Sequence, residues 1–121
     1  MAQSGPILIV EDDEDVREAM VHVLQAEGYD AVPAADGVDA LGHLQAGLEP
    51  CLILLDLMMP RMSGWQFIEH QDVRASRAPI VVVSAYSTAD EMRSAGVAAY
   101  MRKPVDIDAL LELVAQHCAR H

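Results

Sequence analysis

The sequence predicts an α/β protein: an open parallel sheet, doubly wound with helices on both faces. Two observations carry that expectation. Short, unbroken aliphatic runs recur along the chain, and between them lie stretches whose apolar residues repeat at helical spacing. Glycines and prolines punctuate the joints. At 121 residues the chain has room for one domain, 1–121. Its 52% hydrophobic content supports a real core, although 19 acids face only 8 Lys and Arg and the formal charge is −11.

The elements come in order. Ile7-Leu8-Ile9-Val10 is branched and continuous, as in a strand buried on both faces. Val16, Ala19, Met20, Val23 and Leu24 then form one helical stripe, which Gly28 closes. Asp30 to Ala34 is a weaker strand, and Pro33 within it suits a sheet edge. Gly37 to Ala46 repeats Val38, Leu41 and Leu44 at helical spacing. Cys51 to Leu55 is the next buried strand, and Pro60, Ser63 and Gly64 mark the loop after it. Trp65 to about Asp72 reads as one short helix docked by Trp65, Phe67 and Ile68. Ile80 to Val83 is a strand, Thr88 to about Ala95 a brief helix, and Ala98 to Met101 a last short strand. Ile107, Leu110, Leu111 and Val114 give the final amphipathic helix. About five strands thus alternate with five helices.

Composition excludes several classes. A strongly acidic surface opposes nucleic acid and anionic membranes, both of which require basic patches. No basic leader precedes an apolar segment, and the longest aliphatic run, Cys51–Leu55, is far below the ~20 residues that span a bilayer. The expectation is a soluble, cytoplasmic protein without a membrane partner. Cys51 and Cys118 are too few and too distant in sequence for a disulfide framework or a zinc site, so they read as two small buried hydrophobes in a reducing compartment. Neither G-x-x-x-x-G-K-[ST] nor G-x-G-x-x-G occurs, which disfavours nucleotide enzymes.

Chemistry collects after the strands. Glu11 and Asp12 come after the first, Asp56 after the central one, Ser84 after Val83, and Lys103, the chain's one lysine, after the last. Strands of a parallel sheet end at a common edge, where ligands bind. With neighbouring strands ~4.8 Å apart, these side chains can converge. Several carboxylates together suit a hard divalent cation, Mg²⁺ first. A hydroxyl and an ammonium beside them complete a site for a phosphoryl group, with Asp56 as the acceptor. Each residue alone also has a plainer reading. The acids favour a helix N-terminus, Asp56 a turn, Ser84 a cap, Lys103 an exposed loop and Tyr100 half-buried packing.

Four segments together resemble a response-regulator receiver domain: Ile7 to Asp13, Leu54 to Pro60, Val82 to Ala85 and Tyr100 to Pro104. The resemblance spans essentially the whole chain and implies a CheY-like (flavodoxin-like) fold with strand order 2-1-3-4-5. It further implies that Asp56 accepts phosphate from the phosphohistidine of a sensor histidine kinase or phosphotransfer protein. Asp12, Asp56 and the backbone carbonyl of Met58 would bind Mg²⁺, and Glu11 would act through a metal-bound water. Ser84 and Lys103 would contact the phosphate, and Tyr100 would be the switch aromatic that alters a surface read by a downstream protein. Bulky Met58 and Tyr86 imply slow loss of the phosphate. The chain would work as a monomer or weak homodimer.

Departures accompany the resemblance. Ser84 and Lys103 stand 19 positions apart, a few residues fewer than the family spacing. That predicts a short or irregular helix between Tyr86 and Gly96. Val105 replaces a common aromatic, and Ser84 replaces a more frequent threonine. Two other functions compete. An aspartate-nucleophile phosphatase would need a second aspartate where Met58 stands. A phosphorylation-independent interaction module would tolerate loss of Asp56 or Lys103, yet both are present.

Overall fold

The computed structural model describes residues 4–85 and 96–120. The strands are β1 (Ile7–Val10), β2 (Ala31–Ala34), β3 (Leu52–Leu55), β4 (Ile80–Ser84) and β5 (Ala99–Arg102). The helices are α1 (Glu14–Ala26), α2 (Gly37–Gln45), α3 (Gly64–Glu69), α4 (Gln71–Ser76) and α5 (Ile107–His117). All strand pairs are parallel, in the order β2-β1-β3-β4-β5. The segment expected as a helix from Thr88 to Ala95 lies outside the described residues.

Strand alternation divides the core in two. Ile7, Ile9, Leu52, Leu54, Val81 and Val83 point to one face, where Met20 and Leu24 of α1 and Leu110 and Val114 of α5 cover them. Leu8, Val10, Ile53, Leu55 and Val82 point to the other, beneath Leu41 of α2, Phe67 and Ile68 of α3 and Val73 of α4. Every residue of β1 and β3 is at most 1% exposed, which is why these runs are aliphatic throughout instead of alternating. Each such side chain contributes about 1.5–3 kcal/mol by leaving water. β2 lies at the edge of the sheet, and its Pro33, which has no N–H to donate, is exposed there.

Local signals end the helices. The Asp13 carboxylate accepts from the amides of Asp15 and Val16 and so caps α1. Gly28 takes φ +91° just beyond its end, where a Cβ would be strained. No helix among the described residues is long and apolar enough to cross a membrane.

Two expectations are corrected. The helix expected from Trp65 to Asp72 is two helices. His70, at φ −66° and ψ 137°, is extended, and its Nδ1 accepts from the Asp72 amide to start α4. Periodicity had no means of detecting one extended residue between two apolar turns. Cys51 and Cys118 are not separate thiols but a disulfide, with Cα atoms 5.4 Å apart. Cys51 immediately precedes β3 and Cys118 immediately succeeds α5. The winding of the chain brings those two positions together at the N-terminal end of the central strand, so distance along the sequence was no guide to distance in space.

Candidate functional site

Register brings the acids together. Val10 of β1 pairs with Leu55 of β3, so the next residues, Glu11 and Asp56, emerge side by side. The Asp56 amide donates to the Val10 carbonyl at 2.9 Å, continuing the ladder to the mouth of the site. On the far side Ser84 pairs with Arg102, and the Lys103 amide donates to the Ser84 carbonyl at 3.2 Å. Lys103 comes directly after the outermost strand, and its long side chain reaches back across the strand ends.

Carboxylate oxygens of Glu11, Asp12 and Asp56 lie within 4.8 Å of one another. Glu11 and Asp56 are buried and Asp12 is exposed. The Lys103 Nζ donates to both Glu11 oxygens, at 2.9 and 3.0 Å, and stands 3.5 Å from Asp56 Oδ2. The ammonium is therefore shared, with Glu11 holding it more closely than Asp56.

Electrostatics reflect this crowding. Burial pushes the Glu11 carboxyl up to about 7; the Lys103 hydrogen bond opposes that shift and the neighbouring Asp56 charge adds to it. Burial lowers the Lys103 pKa, but its bond to Glu11 and the Asp56 and Glu11 charges outweigh burial and raise it. Among the described residues, one ammonium thus faces three carboxylates. Excess negative charge and an all-oxygen donor set fit a hard divalent cation such as Mg²⁺.

The loop after β3 is tightly determined. Asp56 Oδ1 accepts from the Met58 amide at 3.3 Å, and the Gly64 amide donates to the Leu57 carbonyl at 2.9 Å. A Cβ on Gly64 would stand 2.7 Å from the Asp56 carbonyl oxygen and from Leu57 Cα, so only glycine permits this approach. Ser63 and Gln66 close a capping box that starts α3. The Met58 side chain is exposed.

Of the residues singled out in the sequence, Glu11, Asp12, Asp56 and Lys103 meet. Ser84 is fully buried at the end of β4, beside the Lys103 backbone. Tyr100 is half-buried on β5 and packs with the core beneath α2, α3 and α4. The Lys103–Pro104 peptide bond is cis. Tyr86 lies outside the described residues. Sequence reasoning passed over Arg17, Asp36 and Arg61, which bond around the two acid-bearing loops. The one available signal was an Asp-Gly pair before α2, where an N-cap belongs.

Residues 7–115 match the family described as the response regulator receiver domain. The chain belongs to that family. Receiver domains serve two-component systems, where they interact with kinases and downstream effectors. The chain is similar to the regulator of RpoS from Escherichia coli K12, at 39% identity over 112 residues, 89% of this chain and 33% of that protein. It thus spans about a third of that relative's length. It also resembles sporulation initiation phosphotransferase F of Bacillus subtilis, at 31% identity over 92% of this chain and 91% of that one. Among solved structures, a response regulator receiver protein from Pseudomonas putida superposes with TM-score 0.83 at 34% identity, covering 96% of this chain and 99% of that one. The Vibrio cholerae chemotaxis protein CheY4 gives TM-score 0.83 at 25% identity, covering 95% and 99%.

Proposed function

We propose that this receiver accepts a phosphoryl group on Asp56 from a phosphohistidine on a sensor kinase or phosphotransfer protein, and that the transfer alters a surface read by a downstream protein. The observation that carries this reading is the Lys103 ammonium bonded to Glu11 and 3.5 Å from Asp56, inside a cluster of three carboxylates.

In the transfer, an Asp56 carboxylate oxygen forms the new P–O bond while the P–N bond to the donor imidazole breaks and its electron pair returns to the ring. Asp56 is buried at the strand ends and its Oδ1 accepts from the Met58 amide, which orients the attacking carboxylate. Lys103 can leave its closer partner Glu11 and track the charge onto the phosphoryl oxygens. Ser84 supplies a hydroxyl at the same edge. Asp12, Asp56 and the Met58 carbonyl would hold Mg²⁺, with Glu11 acting through a bound water. When bound, the ion neutralises charge on the transferring group. The phosphoryl group brings about −1.5 to −2 charges while Asp56 gives up its own carboxylate charge, so the site gains roughly one negative charge, and a Ser84–Tyr100 rearrangement is the proposed response. Slow loss of the phosphate is the companion expectation from bulky Met58 and Tyr86.

The test is incubation with acetyl phosphate and Mg²⁺, read by intact mass. A gain of one phosphoryl group that Asp56→Asn abolishes supports the proposal. No gain with acetyl phosphate or a phosphohistidine donor would instead favour a phosphorylation-independent interaction module.

A further inference from the structure

The acidic cluster hangs on two loops, and one arginine outside the cluster holds each of them. Arg17, in the first turns of α1, folds back over its own loop. Its Nη1 donates to the Glu11 carbonyl at 2.9 Å and reaches the Asp12 carbonyl at 3.4 Å. It therefore grips the backbone of the two residues whose side chains face the site. Arg61 lies in the loop that carries Asp56 and Met58. Its backbone is left-handed, φ +64°, a conformation disfavoured for any residue with a Cβ. Its Nε donates to Asp36 Oδ2 at 2.7 Å.

Asp36 is itself fixed. It is 5% exposed, and its other oxygen accepts from the Asp39 amide at 2.8 Å, capping α2. The loop after β3 is thereby tied to a second helix at the neighbouring crossover. Backbone carbonyls occupy one guanidinium and a buried carboxylate the other. A planar fork suits both tasks, whereas a compact ammonium suits the shared position that Lys103 holds.

We propose that Arg17 and Arg61 are positioning residues for the cation: they fix the placement of Glu11 and Asp12 relative to Asp56 and Met58, and through it the Mg²⁺ affinity. The inference rests on the metal-assisted reading of the site. Partners outside the ligand set hold metal ligands in place, and their loss commonly costs about 10–100-fold in affinity. Charge alone predicts the opposite sign, because removing a cation beside an anionic site favours cation binding. The direction of the change therefore separates placement from charge.

The experiment titrates Mg²⁺ into the wild-type chain and into Arg17→Gln, Arg61→Gln, Asp36→Asn and the two Arg→Lys variants, by calorimetry or amide NMR. Thermal unfolding of each without Mg²⁺ verifies its fold. Each Gln variant should bind Mg²⁺ about tenfold more weakly, the lower end of that range. Asp36→Asn should match Arg61→Gln, and each Lys variant should recover part of the loss. Excess Mg²⁺ should restore labelling of Asp56. Folded Gln variants with unchanged or tighter Mg²⁺ binding would overturn the inference and leave the metal site standing. A wild-type chain that binds no Mg²⁺ at millimolar concentration would remove the metal reading and this inference together.

Discussion

Reducing the Cys51–Cys118 bond should lower stability strongly and leave the acidic site untouched. The bond joins residues 67 apart, so in the unfolded chain it closes a long loop. The chain-entropy relation then gives about 4 kcal/mol at 25 °C, an upper figure because residual structure in the unfolded chain lessens it. Unfolding entropy of about 2.1 cal/mol/K per residue amounts to roughly 0.25 kcal/mol/K for 121 residues. A loss of about 4 kcal/mol therefore corresponds to a Tm drop of up to about 15 °C. The assay is thermal unfolding by circular dichroism with and without a phosphine reductant, with bond status read by mass. A Cys51→Ala/Cys118→Ala variant should melt near the reduced protein and ignore the reductant. Mg²⁺ affinity at low temperature should not change, because the length of β3 separates Cys51 from Asp56. A bonded protein that melts within about 2 °C of the reduced one would refute the entropy term, and air-oxidised protein that keeps two free thiols would refute the bond.

Other perturbations have defined outcomes. Gly64→Ala forces a Cβ against the Asp56 carbonyl and Leu57 Cα; it should cost about 1–3 kcal/mol in urea unfolding, and an unchanged midpoint would contradict the geometry. The Arg61 hydrogen bond, opposed by burial, holds the Asp36 carboxyl below its usual pKa. Its contribution to stability is thus present above the unfolded value of about 3.9 and is lost as pH falls through the folded one. Asp36→Asn should accordingly flatten the stability profile below about pH 4, as measured by urea midpoints across an acid series. Lys103→Arg should keep the fold and impair switching, because a planar fork replaces a point charge that Glu11 and Asp56 share. Unchanged coupling between phosphorylation and partner binding would refute that role.

The strands were legible because burial on both faces demands uninterrupted aliphatic runs, and β1, β3 and β4 fall on Ile7–Val10, Leu52–Leu55 and Ile80–Ser84. Pro33 marked the edge because a missing N–H is tolerated only there. Meeting of the site residues was legible too: parallel strands end together, so Glu11, Asp12, Asp56 and Lys103 share an edge wherever they stand in the sequence. The split at His70 was hidden, since one extended residue leaves the apolar pattern nearly intact.

By itself, the sequence determined the layer architecture and which carboxylates and lysine stand at the strand ends. Both depend on local pattern and on the residues that stand directly after each strand. Tertiary structure decided the partners. It placed Lys103 closer to Glu11 than to Asp56, set Arg17 and Arg61 behind the acid-bearing loops, and joined Cys51 to Cys118. Each of these depends on where a side chain ends after the chain has crossed the sheet, and no spacing rule encodes the distance between atoms brought together only by packing.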